Sequence, residues 1–352
     1  MIKRTPLFML WLFLICTAAA QPRQVNSKLE SFFRQDIGLS EKEIAAIQSE
    51  RPIVKALPPR SPSETLLFGV IYVNAAPETY FQYARNFDRL RNVPGHLALG
   101  VFTDPPQISD LQGFSLDSDD IAALKQCQPG KCRIQLPATS ITEFQHLVQW
   151  SSPNAEEQAN QLLRSRAFER VLAYQREGNQ ALGTYNDKPD PTAVPEQFAL
   201  LLSADRALAE REPDFYHYLL DYPRGKPAGY EETFFWEKVK FGLKPTLRIV
   251  HMVTMRGGAA DPVANAIARK QLYSSHYFQT ALDLSVCVRE KNDPTQPGFY
   301  LIEALGSEHG DFTGPKGSVI RSVAVSRALT ALQQGLADIK DALESKTPVS
   351  AR

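Results

Sequence analysis

The residues best suited to chemistry lie in one short run, Lys270-Gln-Leu-Tyr-Ser-Ser-His-Tyr-Phe278, where imidazole, hydroxyl and aromatic groups are densest. The stretch 267–288 around it alternates as strand does. Leu272, Ser274, His276, Phe278, Thr280, Leu282, Leu284 and Val286 fall on one face, and Gln271, Tyr273, Ser275, Tyr277 and Gln279 on the other. His276 beside Ser274, with Tyr273 near and His251 on a neighbouring strand, makes a set able to move a proton or orient a polar ligand group. The same pattern suits a hydrogen-bonded core histidine. Ser274, His276, Tyr273, His251 and Phe278 are therefore expected to contact a ligand, and no residue is assigned a catalytic role.

Other chemistries lack their residues. There is no Gly-x-Ser-x-Gly elbow, and Arg256-Gly-Gly258 has neither the spacing nor the following helix of a phosphate loop. Histidines at 96, 146, 217, 251, 276 and 309 are scattered, so neither a metal site nor a cofactor is expected. Asp117, Asp119 and Asp120 lack the glycine and terminal glutamate of a calcium loop and suit the first turn of a helix. Lys+Arg and Asp+Glu both number 39, which argues against nucleic acid or a polybasic membrane surface as partner.

The N-terminus carries an address. Lys3 and Arg4 precede an apolar run over 7–16 and then Thr17-Ala-Ala-Ala20, the pattern of a secretory signal cut before Gln21. The run is shorter than the ~20 residues that span a bilayer, so no stable anchor is expected after cleavage. The bulky Leu14 and Ile15 before Cys16 disfavour lipidation. A periplasmic or extracellular destination follows. It agrees with a disulfide between Cys127 and Cys132, which flank a Pro-Gly turn. Arg133 rather than His follows the pair, so haem attachment is excluded. Cys287 reads as a buried free thiol.

Positioning elements follow from punctuation and period. Residues 21–63 read as an arm with a short helix opened by the Ser40-Glu-Lys-Glu43 capping box, then a proline-broken connector over 52–62. Strands are expected at 65–73, 96–102, 133–136, 246–255, 267–288 (one long or two) and 298–305. Helices are expected at 78–91 and 117–124. From 139 to 242 the pattern is helical, with Ser140-Ile-Thr-Glu143 as a second capping box and an aromatic-rich pair of helices around Tyr216, Tyr218 and Trp236. Val325, Leu329, Leu332, Leu336, Ile339 and Leu343 form one apolar stripe on a last helix. Residues 346–352 are expected to form a disordered tail.

Val70-Ile-Tyr-Val-Asn-Ala-Ala-Pro-Glu-Thr-Tyr-Phe81 and the closing amphipathic helix resemble the first strand, helix entry and last helix of the START-like (SRPBCC, helix-grip) superfamily. The resemblance covers about 65–92 and 244–344 and implies an α+β domain over 64–345. In it an antiparallel curved sheet is gripped by the C-terminal helix over a cavity, with a large helical insertion at about 139–242. Leu124-Lys-Gln-Cys-Gln-Pro-Gly-Lys-Cys132 and the 270–278 run are also similar to a group of exported bacterial proteins, a likeness that brings no established activity. The resemblance implies non-catalytic binding of a hydrophobic or amphipathic, lipid-like small molecule. Cyclase- or hydrolase-like chemistry in the same cavity is a second expectation, and a cell-envelope scaffold using the aromatic helices a third.

Overall fold

An unbroken apolar run from Leu66 to Val73 has no polar face to show water, and it becomes a strand buried on both sides. The computed structural model describes residues 27–241, 244–258, 263–289, 298–312 and 314–345. Within them the strands are β1 (Ile53–Leu57), β2 (Glu64–Val73), β3 (His96–Val101), β4 (Thr184–Tyr185), β5 (Thr192–Ala193), β6 (Glu231–Lys240), β7 (Pro245–Arg256), β8 (Val263–Ser274), β9 (Thr280–Arg289) and β10 (Phe299–Glu308). β4 and β5 make a small ribbon. The rest form one curved antiparallel sheet of eight strands in the order β1-β2-β10-β9-β8-β7-β6-β3. Its first long strand thus pairs with its last, Gly69 opposite Glu303.

Each face of the sheet has its own cover. On the front, Ile71, Val73, Phe235, Val250, Met252, Ile267, Phe299 and Leu301 lie under Tyr80, Phe81 and Ala84 of the helix Pro77–Ala84. On the back, Leu29, Phe33, Ile44 and Ile47 of the N-terminal helices pack on Phe68, Tyr72 and Tyr300. The helical segment between β3 and β6 covers the remainder of that face. The Ser40 capping box opens the helix Glu41–Gln48 as expected. The Cys127–Cys132 disulfide closes its turn with the Cα atoms 4.5 Å apart, and Cys287 is a buried free thiol.

Several expectations need correction. The proline-broken connector contains β1, because Ile53 and Val54 favour an extended chain that β2 can pair. Residues 230–240 are not helical. Phe235 faces front while Phe234 and Trp236 face the helical segment, a period of two that makes β6. The helical segment therefore runs from 102 to 230, not from 139 to 242. No strand forms at 133–136, where Gln135 N–H instead donates to Ser275 O. Ser140 lies inside the helix Ala138–Leu147 rather than capping it. The 267–288 stretch is two strands, β8 and β9, separated by a turn in which Tyr277 has φ 65°. A bulge against Ile249 and Val250 also breaks the strict alternation of β8.

The last helix, Gly314–Glu344, follows the apolar stripe but lies along β2 and β1, at one side of the sheet. Leu336 is fully buried and needs Gly69 beneath it, where a Cβ would come within 2.9 Å of its Cδ1. Leu332, Ile339 and Leu343 pack beside it, while Val325 and Leu329 stay half-buried. Only its second half grips. No described helix is long and apolar enough to cross a membrane. The expected signal at 1–20 and the tail at 346–352 lie outside the described residues.

This asymmetry is measurable. Leu336→Ala opens a cavity in a packed contact and should cost about 2–4 kcal/mol in urea unfolding, whereas Leu329→Ala should cost under about 1. Equal losses at the two positions would contradict the half-grip.

Candidate functional site

The structure buries four of the five residues first singled out, Tyr273, Ser274, His276 and His251. His276 sits in the turn after β8, 6% exposed, with Nε2 2.8 Å from Asp120 Oδ2 and Nδ1 3.2 Å from Arg133 O. Lys244 binds the same Asp120 carboxylate. Burial pushes that carboxyl up, but His276 and Lys244 outweigh it and hold it below the usual range. His276 thus clamps the β8–β9 turn to the helix Ser118–Leu124. Ser274 Oγ donates to His276 O at 2.8 Å. Tyr273 is buried on the back face with its ring near Tyr185.

His251 belongs to a different cluster. It stacks on Phe234 at 4.4 Å, shares a hydrogen bond of 3.1 Å between Nδ1 and Tyr174 OH, and places Nε2 3.2 Å from Glu232. Burial drives its pKa down against the pull of Glu232. With His251 and His276 each committed to separate partners, the expected His–Tyr–Ser set does not assemble. Of the aromatic surface expected to meet an envelope partner, Tyr218 and Trp236 are each 2% exposed and interior, and only Tyr216 is half-buried. Phe278 alone of the five keeps an open side, half-buried with its ring 5.0 Å from Phe241.

A site that sequence reasoning missed crosses the front face. Each of six neighbouring strands contributes one ionisable residue: His96 of β3, Glu237 of β6, Arg248 of β7, Arg269 of β8, Asp283 of β9 and Glu303 of β10. At one end His96 Nε2 lies 3.2 Å from Glu237, and Glu237 lies 3.2 Å from Arg248. Arg248 is 8% exposed, faces the rings of Phe241 and Phe278 at 5.3 and 5.6 Å, and has an Nε with no partner among the described residues. At the other end Glu303 accepts from Tyr80 OH and Ser285 Oγ, each at 2.9 Å. Arg269 donates to the same Ser285 at 3.3 Å.

The middle of the row is incomplete. Asp283 stands directly opposite Arg269, where Cβ atoms are about 5 Å apart. Yet no described basic group comes within 4 Å of its carboxylate, and no described donor reaches it. Asp283 is half-buried, and burial raises its pKa despite Arg248 and Arg269. A carboxylate and a guanidinium held apart on a partly open sheet face can take a ligand group that both donates and accepts.

The signal was present in the sequence. Ile267-Ala-Arg269, Leu282-Asp-Leu284 and Leu301-Ile-Glu303 each place a charge next to apolar residues inside a strand, which an ordinary core does not do. Among the described residues no group of three or more His, Cys, Asp or Glu is arranged to hold a metal ion. No protein-family model matches the chain, and no curated protein or solved structure matches it either.

Burial raises Glu303 from 4.5 to about 7, against the opposing effects of Arg269, Ser285 and Tyr80. A carboxyl whose pKa rises on folding stabilises the protonated native state. Its contribution is therefore full below about pH 4.5 and is lost as pH climbs through about 7. Glu303→Gln should be increasingly more stable than the parent from pH 5 to pH 8, reaching on the order of 3 kcal/mol in denaturant unfolding. A difference that stays constant across that range would show that Glu303 titrates normally.

Proposed function

We propose that the chain is a START-like binding protein that holds an amphipathic small molecule on the front face of its sheet. The ligand's hydrogen-bond donor meets Asp283 and its acceptor meets Arg269. The observation that carries this reading is the pair itself, opposite in register yet out of contact, in the middle of a row of charges. Phe278 and the 45%-exposed Phe241 offer apolar surface beside Arg248 for the rest of the molecule.

The order of elements supports the START-like part of the reading. Two helices separate β2 from β3, a meander runs from β6 to β10, β10 returns beside β2, and a long helix follows. In this reading the helical segment is an insertion between β3 and β6. The Cys127–Cys132 disulfide suits an oxidising compartment, so periplasmic or extracellular residence is part of the proposal. The ligand is amphipathic rather than a long acyl chain, since the apolar half of the front face is filled by Tyr80, Phe81 and Leu336. Catalysis is not part of it. Glu303, with a pKa near neutrality, is 7% exposed and both its oxygens are occupied.

Native mass spectrometry of the protein purified from the periplasm of an expressing cell tests this. A co-purifying small molecule should be present, and Asp283→Ala should weaken its rebinding roughly tenfold or more while His276→Ala leaves rebinding by the folded fraction intact. Absence of any adduct, or rebinding unaffected at Asp283, would sink the idea.

A further inference from the structure

Two basic side chains meet on the back face of the sheet with little to balance their charge. Lys270 of β8 and His251 of β7 stand directly opposite in register, 0% and 1% exposed. Lys270 Nζ touches Asn179 Oδ1 and faces the rings of Phe198 and Tyr174, and no described carboxylate pairs with it. His251 shares a hydrogen bond with Tyr174 OH, stacks on Phe234 and meets the ring of Tyr222. Its one acidic neighbour is Glu232, 3.2 Å from Nε2, and that carboxylate is shared with Tyr218 and Lys226. Of the nearby charges on the covering helices, Arg170 donates to Leu182 O, and His217 and Asp221 are exposed.

An amine or imidazole sealed from water without a counter-charge stays neutral, because its charged form would lose hydration that nothing replaces. Burial accordingly holds His251 below its ordinary 6.5 and Lys270 far below its ordinary 10.5. The groups that seal the pair, Asn179, Phe198, Tyr218 and Tyr222, all belong to one segment, 178–225. A glycine in the left-handed region stands at each end of it, Gly178 at φ 66° and Gly225 at φ 69°. Such positions absorb large backbone rotations. We propose that Lys270 and His251 form an acid trigger, in which their protonation releases segment 178–225 and uncovers the middle of the back face. Both bases bind protons more weakly when closed than when open, so the closed state is favoured at high pH and loses ground as pH falls. Lys270 contributes below about 10.5 and His251 below about 6.5. Each base that is neutral when closed and protonated when open raises the open population about tenfold per pH unit. Glu232 stays charged in the closed state. Burial would raise its pKa, but His251, Tyr218 and Lys226 outweigh that and lower it to about 2. This device is independent of the charged row on the front face.

Native-state hydrogen exchange of the full chain, corrected for the intrinsic effect of pH, reads this opening from the slowest amides of 178–203. From about pH 8.5 to 6.5 the open population should rise about tenfold per unit, steepening toward a hundredfold per unit down to about pH 5. The same amides should exchange at least roughly tenfold faster than those of β2 and β10 at every pH, because the segment opens without the sheet. Lys270→Met should flatten the upper stage and leave about tenfold per unit in the lower one. His251→Gln should leave about tenfold per unit across the whole range, and melting curves at high pH check that both variants fold. Three results would each overturn the proposal: a flat profile at 178–203 in the parent, a slope that survives both substitutions, or exchange at 178–203 no faster than in β2 and β10.

Discussion

Register between β8, β9 and β10 is the constraint on which the rest of the molecule depends. Side chains alternate with a period of two, so a slip of one residue would turn Arg269, Asp283 and Glu303 to the back and send Lys270, Leu282 and Leu284 to the front. The observed pairing is held from both sides. On the back, Ala268, Leu282 and Leu284 pack into the core beneath the helical segment, and on the front Ile267, Cys287 and Leu301 pack under the helix Pro77–Ala84. The apolar residues choose the register. The charged row is carried to the front as a consequence, and its pairings at the ends keep the desolvation penalty within reach of a folded domain.

The back face shows what a fully covered charge looks like in this protein. Lys270 is 0% exposed, its ammonium touches Asn179 Oδ1, and it faces the rings of Phe198 at 3.8 Å and Tyr174 at 4.9 Å. Burial drives its pKa far down, toward the neutral amine. Arg269 is the opposite case. The opposing charges of Tyr80, Glu303 and Asp283 outweigh its burial and raise its pKa. Asp283 keeps partial access to solvent, and among the described residues no group bonds its carboxylate.

Much of the fold was legible because it rests on local rules. The apolar run of β2, the capping box at Ser40, the Pro-Gly turn between Cys127 and Cys132 and the stripe of the last helix each declare themselves within a few residues. Local rules also misled where two periods compete. Glu231–Lys240 has enough aromatic and charged residues to mimic a helical face, and only its partners β3 and β7 show that it alternates as strand. The site was less legible than the fold. His276 stands out by its neighbours in sequence, but its partner Asp120 lies 156 residues away, in the first turn of a helix where an acidic residue already has a dipole role. The front-face row is built from single charges on six strands, and no spacing along the chain reveals that they meet.

Arg269 and Asp283 stand opposite one another and act on each other through space without contact, and in the proposed reading a ligand bridges them. A double-mutant cycle with Arg269→Gln and Asp283→Asn, read by urea unfolding of ligand-free protein, tests it most directly. A pair that interacts only through space should show a coupling energy of about 1 kcal/mol or less. A coupling of about 2 kcal/mol or more would make the two a structural ion pair and remove the basis of the proposed binding site.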